Sequence, residues 1–192
     1  MELESDATDW ASAVNGDGEA FGRVFDRHKH RVSRHAHRLV EDRDDAEDVV
    51  AVTFLEAWRR RTAVRLVSGS TLPWLLVTAG HAASNLRRSR RRYRALLAKL
   101  PPASSASDPA TLLERASVDL PLDELGEKDR QIISLVVEGL TEQEAAAALG
   151  VPIGTVKSRL SRARSRLASL VRAHRPDLIE GRARQAEGGT SA

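Results

Sequence analysis

Within twelve consecutive positions the sequence places Thr155, Lys157, Ser158, Arg159, Ser161, Arg162 and Arg166. These side chains are hydrogen-bond donors for guanine edges and phosphates, the chemistry of a major-groove contact. A second set lies upstream: His81, Ser84 and Asn85, then Arg87, Arg88, Arg90, Arg91 and Arg92. Residues 155–175 carry seven basic groups and no acidic one, and residues 87–99 repeat that count. Residues 1–20 carry six acidic groups and no basic one, so the net charge of +3 hides a strong segregation. Two all-basic tracts suggest two contacts with a polyanion, and the acidic front suits a different partner. The bland alternative is that each tract is only a solvated face.

The elements that must position these donors read as helices. Phe21, Val24, Phe25, His28, Val32, Ala36 and Leu39 recur at steps of three and four, which gives one apolar stripe. A turn follows at 41–43. Asp44 then reads as an N-cap with Glu47 as its capping-box partner, and Val49, Val50, Phe54, Leu55 and Trp58 continue that helix. Residues 67–71 are loop-like, and Pro73 suits the first turn of a further helix through Trp74, Leu75, Val77, Ala82 and Leu86. Trp58 and Trp74 fall on apolar stripes and read as core rather than as stacking platforms.

The Pro- and Ser-rich run 101–109 reads as a linker. The expected fold is therefore all-α. Two small helical domains, 1–98 and 118–175, are joined by a flexible linker at 99–117 and followed by a polar, glycine-containing tail at 176–192. In the second domain Ile132, Ile133, Leu135, Val136 and Val137 form an amphipathic helix that Gly139 ends. Thr141 and Glu144 make a capping box. Gly150 permits a left-handed turn, and Val156, Leu160, Ala163 and Leu167 form one buried stripe. That order is a helix-turn-helix, with Ala146, Gly150 and Val156 as its structural markers.

Other chemistries find no support. There is no cysteine, so disulfides, thiolate metal sites and a cysteine nucleophile are excluded. His28, His30, His35 and His37 lack the three- or four-residue spacing of helical metal ligands. Neither a calcium loop, nor a phosphate-binding glycine loop, nor a hydrolase elbow occurs. The expectation is a non-enzymatic protein without cofactor or metal. No apolar run reaches membrane-spanning length, and the acidic start is the reverse of a secretory signal. A soluble, cytoplasmic protein without membrane insertion is expected.

The run Asp45-Ala46-Glu47-Asp48-Val49-Val50, followed by Thr53 to Arg59, resembles the second conserved region of extracytoplasmic-function (ECF) sigma factors. Pro73-Trp74-Leu75-Leu76 and the arginine-rich helix after it resemble the rest of that region, and Gly150 to Arg164 resembles the fourth region. The resemblance implies promoter-specific initiation with core RNA polymerase. Asp45, Glu47, Asp48, Val49, Thr53 and Phe54 would bind the polymerase clamp. The loop 61–71 and the face carrying His81, Ser84, Asn85, Arg87, Arg88 and Arg91 would meet the melted minus-ten element, with Arg90 to Arg92 holding phosphates. Thr155, Lys157, Ser158, Arg159, Ser161, Arg162 and Arg166 would read the minus-thirty-five duplex. An anti-sigma factor is a further implied partner.

The chain departs from the family's habit at Ala51-Val52, where Gln-Glu is frequent. It departs again at Gly80-His81, where an Arg-Asn pair is usual, and at Ser84, where an acid is common. These departures point to an unusual minus-ten preference. Two alternatives compete: a helix-turn-helix regulator that binds operators alone, and a decoy that binds polymerase or an anti-sigma partner without opening DNA.

Overall fold

The structure, a computed structural model, describes residues 2–98 and 125–174. The linker 99–117 and the tail 176–192 lie outside the described residues. The first domain holds α1 (Glu2–Val14), α2 (Gly18–Leu39), α3 (Arg43–Arg59) and α4 (Leu72–Leu97). The second holds α5 (Glu127–Val137), α6 (Glu142–Leu149) and α7 (Ile153–His174). Among the described residues there is no strand, only an isolated bridge between Val67 and Ser70. No described helix is long and apolar enough to cross a membrane.

The apolar stripe of α2 faces inward, with Ala20, Val24, Val32, Ala36 and Leu39 buried at helical spacing. Asp17 caps the helix, its Oδ1 accepting from the amides of Glu19 and Ala20 at 2.9 and 3.0 Å. Helix α3 begins two residues earlier than the sequence suggested. Its N-cap is Asp42, not Asp44, and Asp42 Oδ1 accepts from the amides of Asp44 and Asp45. Either aspartate can cap, but only Asp42 has the extended backbone the cap position requires.

Helix α4 runs 26 residues, about 39 Å at the usual rise. Its first half is core: Leu75, Leu76, Ala79 and Ala83 are almost wholly buried. From Arg88 to Ala98 every residue is exposed. The helix thus leaves the domain as a basic rod.

Helix α1 was not foreseen from the sequence. Trp10 and Ala13 anchor it in the core. Its two aspartates point inward: Asp9 pairs with Arg23 at 2.7 Å and with Arg27 at 2.6 Å. The carboxylate of Asp6 is almost fully buried and takes Arg27 at 3.0 Å and His28 Nε2 at 3.0 Å. It also accepts from the Ser70 hydroxyl at 2.9 Å and the Thr71 amide at 2.8 Å. Burial pushes this carboxyl up, but His28, Thr71 and Ser70 more than offset that and hold it far below the usual carboxylate range. Part of the acidic front is therefore consumed inside the fold.

His35 on α2 is fully buried. Burial, with a smaller contribution from the Arg38 charge, holds its imidazole down to about 4 from an ordinary 6.5. The unfolded chain takes up a proton below pH 6.5, and the folded chain does so only near 4. The stability from neutral His35 is complete above 6.5 and is lost as pH falls toward 4. The fold should be roughly 2 kcal/mol less stable at pH 5 than at pH 7. His35→Leu should flatten that slope in urea titrations at the two pH values.

Candidate nucleic-acid interface

The second domain presents the recognition set. Thr141 Oγ1 accepts from the Glu144 amide at 3.2 Å while Glu144 Oε2 accepts from the Thr141 amide at 2.9 Å. That reciprocal box starts α6. Gly150 ends it in the left-handed conformation, φ 65°, which costs glycine nothing. The turn swings α7 across α5 and α6. Val156, Leu160, Ala163 and Leu167 are buried, and Ala146 is buried where the helices meet.

The opposite side of α7 is free. Ser158, Arg162 and Arg166 are exposed along one row headed by half-buried Thr155, and Lys157 and Ser161 are exposed beside them. Arg159 is half-buried. Arg162 Nε donates to the Ser158 carbonyl at 3.3 Å, which lays the side chain along the row. All seven residues named from the sequence therefore share this helix.

On α4, His81, Asn85, Arg88 and Arg91 are exposed, Arg87 is half-buried and Ser84 is buried. Arg87 donates to the Leu39 carbonyl. Burial, followed by the nearby Arg130 charge, lowers its pKa. Arg90 does not stand free as a phosphate holder: it donates to the buried carboxylate of Asp45. The loop before α4 closes in a tight hairpin, with reciprocal Val67 and Ser70 backbone hydrogen bonds of 3.0 Å. Its central residues Ser68 and Gly69 both have positive φ, 51° and 76°, as a type I′ turn requires. Asp6 of α1 pins the end of that hairpin.

Of the six residues assigned to polymerase on α3, Glu47 and Asp48 are exposed. Asp45, Val49, Thr53 and Phe54 are buried, and the Thr53 hydroxyl turns back to the Val49 carbonyl at 2.6 Å. Burial raises the Asp45 carboxyl, against the opposing charge of Arg90.

Beside the two exposed acids lies a feature the sequence reading missed. An open apolar groove of ≈480 Å³ runs between α2 and α3, lined by Phe21, Phe25, Ala51, Phe54, Leu55 and Trp58. Phe25 and Leu55, read as stripe residues, are 36% and 53% exposed. The Arg61 guanidinium lies 4.6 Å from the Trp58 ring centroid, so Trp58 closes one end of the groove as a cation–π partner. The four histidines do not converge: His28 and His35 are buried, while His30 and His37 are exposed.

Residues 24–93 match the Sigma-70 region 2 family and residues 116–167 match Sigma-70, region 4. The chain is 31% identical over 171 residues to the ECF RNA polymerase sigma factor SigM of Mycobacterium tuberculosis, covering 87% of this chain and 85% of that one. This chain belongs to the ECF sigma factor family.

Two solved structures align along most of this sigma factor. CnrH, in complex with the cytosolic domain of CnrY, aligns with TM-score 0.64 at 28% identity, covering 88% of this chain and 98% of that one. RpoE of Bartonella quintana, in complex with the anti-sigma factor NepR, aligns with TM-score 0.59 at 29% identity, covering 81% and 98%. As a member of the family, the ECF sigma factor described here directs RNA polymerase to promoters. Its departures from family habit fall on distinct surfaces. Ala51 lines the apolar groove and Val52 is exposed beside it, whereas Gly80 and Ser84 are buried on α4.

Proposed function

We propose that this ECF sigma factor divides its work among three faces. The α2–α3 groove, rimmed by Glu47 and Asp48, grips a helical surface of core polymerase. Asp45, Val49, Thr53 and Phe54 shape that face from beneath. An apolar trough with an acidic rim suits an amphipathic, basic helix. The hairpin at 61–71 and the outward side of α4 capture the melted minus-ten strand. His81 and Asn85 are placed to meet bases, and Arg88 and Arg91 to meet phosphates. Ser84 and Arg87 support that side from within. The exposed row of α7 reads the minus-thirty-five duplex through Thr155, Lys157, Ser158, Arg159, Ser161, Arg162 and Arg166.

The observation that carries the reading is the α7 row, free of acidic groups and backed by a tightly capped helix-turn-helix. The two units are 1–98 and 118–175, tethered by 99–117. The chain performs no catalytic step, requires no cofactor or metal, and works in the cytoplasm. An anti-sigma protein is a fitting further partner, since RpoE, which aligns with this chain, is seen with the anti-sigma factor NepR.

Titration of labelled chain with core polymerase at physiological ionic strength tests the grip. Gel shifts on duplex DNA without polymerase should show weak or no specific binding. Two substitutions separate reading from holding. Arg162→Ala should weaken use of a cognate promoter by about 1–3 kcal/mol and relax one base preference. Arg91→Ala should weaken all promoters alike and lower the salt slope by about one unit. Equal effects of both variants on every promoter would contradict the assignment.

A further inference from the structure

Helix α4 starts without a cap of its own. Thr71 stands at its N-cap position, yet the Thr71 side chain accepts no amide from the first turn. The missing acceptor comes from another helix. Asp6 Oδ2, on α1, accepts from the Thr71 amide at 2.8 Å and from the Thr71 hydroxyl at 3.1 Å. The same oxygen accepts from the Ser70 hydroxyl at 2.9 Å, and Ser70 Oγ in turn accepts from the Leu72 amide at 3.1 Å. One carboxylate thus serves the Thr71 amide directly and the Leu72 amide through a relay. Its charge also stands at the favourable end of the α4 dipole.

The carboxylate is held from behind. Arg27 of α2 donates to Oδ1 at 3.0 Å, and His28 Nε2 lies 3.0 Å from Oδ2. The Asp6 side chain is 1% exposed, so protein groups rather than water fix its place. The hairpin that it holds has little support of its own. Two reciprocal backbone hydrogen bonds close it, and Ser68 takes a positive φ of 51°. A hairpin so small is marginal in water. Its position in the protein therefore depends on its anchor.

Asp6 lies outside residues 24–93, which match region 2, and its burial keeps it from touching a strand. We propose that Asp6 is a positioning residue for minus-ten selection: from α1 it locks the hairpin to the start of α4, and the choice of minus-ten base depends on that buried carboxylate. The inference rests on the minus-ten reading given above. Selectivity is a difference between the right base and the wrong one. A rigid pocket makes the wrong base lose a hydrogen bond or clash, whereas a hairpin that drifts re-forms around it. His81 and Asn85 stand on the helix whose first turn Asp6 fixes, so one anchor keeps the hairpin and the α4 face in register.

The test uses the full-length chain with core polymerase on a template library in which both promoter blocks are randomised. Transcripts are sequenced, and each base preference is read as a ratio within one reaction, so a loss of folded chain alone cancels. Asp6→Asn should flatten the preference at one or more minus-ten positions by about fivefold. Preferences in the minus-thirty-five block should stay as in wild type. Thr71→Val, at a site with no exposure, removes only the hydroxyl tie and should flatten the same positions by about twofold. Ala36→Gly weakens the buried face of α2 without removing a side-chain hydrogen bond. It should lower transcription from all templates alike and keep the ratios. Circular dichroism verifies that each variant stays helical, and Thr71→Val decides if Asp6→Asn does not fold. Unchanged minus-ten ratios in Asp6→Asn and Thr71→Val would overturn the proposal, as would equal flattening by Ala36→Gly. A wild-type library with no minus-ten preference at all is a different result: it removes the minus-ten reading, and this proposal with it.

Discussion

Leu55→Asp combined with Phe25→Ala is expected to weaken binding to core polymerase by at least about 3 kcal/mol, more than a hundredfold in affinity. Both side chains stand on the open groove, 53% and 36% exposed. Phe25 packs edge-on against Phe54 with ring centroids 4.6 Å apart, so its loss also leaves the groove floor slack. A new carboxylate at 55 would have to be buried beneath the partner helix, uncompensated on a face whose rim is already acidic. Leu55 is mostly solvent-facing and Phe25 partly so in the free chain, so thermal unfolding should shift by less than the loss in binding. Anisotropy titration of labelled chain with core polymerase measures the effect. An affinity within threefold of wild type would remove the groove from the interface.

Asp6→Ala is expected to destabilise the first domain by about 3 kcal/mol, lowering its melting temperature by roughly 10–20 °C. The substitution strips His28, the Thr71 amide and the Ser70 hydroxyl of their shared acceptor in one step. Arg27 keeps Asp9, so one cation remains paired. Asp6→Asn retains size and some hydrogen bonding, and it should cost less. The hairpin at 67–70 should loosen before the core does, because Asp6 ties its end to α1. Hydrogen exchange at Thr71 would show this as early loss of protection, and unchanged exchange there would refute the tie.

Much of the architecture was legible because it is written in local periodicity. The capping box at Thr141, the left-handed Gly150 and the stripe from Val156 to Leu167 are all settled within four residues of themselves. Helix α1 was not legible. Its acids look like solvated charges, and their partners Arg23 and Arg27 lie 14 to 21 residues away. Nothing local marks such pairing. The exchange of Asp42 for Asp44 as N-cap has the opposite cause: two equivalent caps stand side by side, and only the chain's entry into the helix distinguishes them.

The site divides in the same way. The α7 row was readable because an exposed face is the complement of its buried stripe. The groove was hidden because Phe25 and Leu55 fit the apolar pattern, and periodicity does not tell a core position from an unpartnered one on the same stripe. Asp45, Val49, Thr53 and Phe54 entered as contact residues through family resemblance, yet their side chains are spent inside the domain. The departure at Gly80-His81 carried meaning in the sequence only as an oddity. The fold gives it a physical setting, a glycine against which Gln131 packs.

Run-off transcription from a genomic template library, with purified core polymerase and with or without this chain, bears most directly on the whole account. Discrete start sites should arise only when both are present, and their upstream sequences should share two blocks, one for α7 and one for α4 and its hairpin. Transcripts that are the same in both reactions, across all templates, would contradict it.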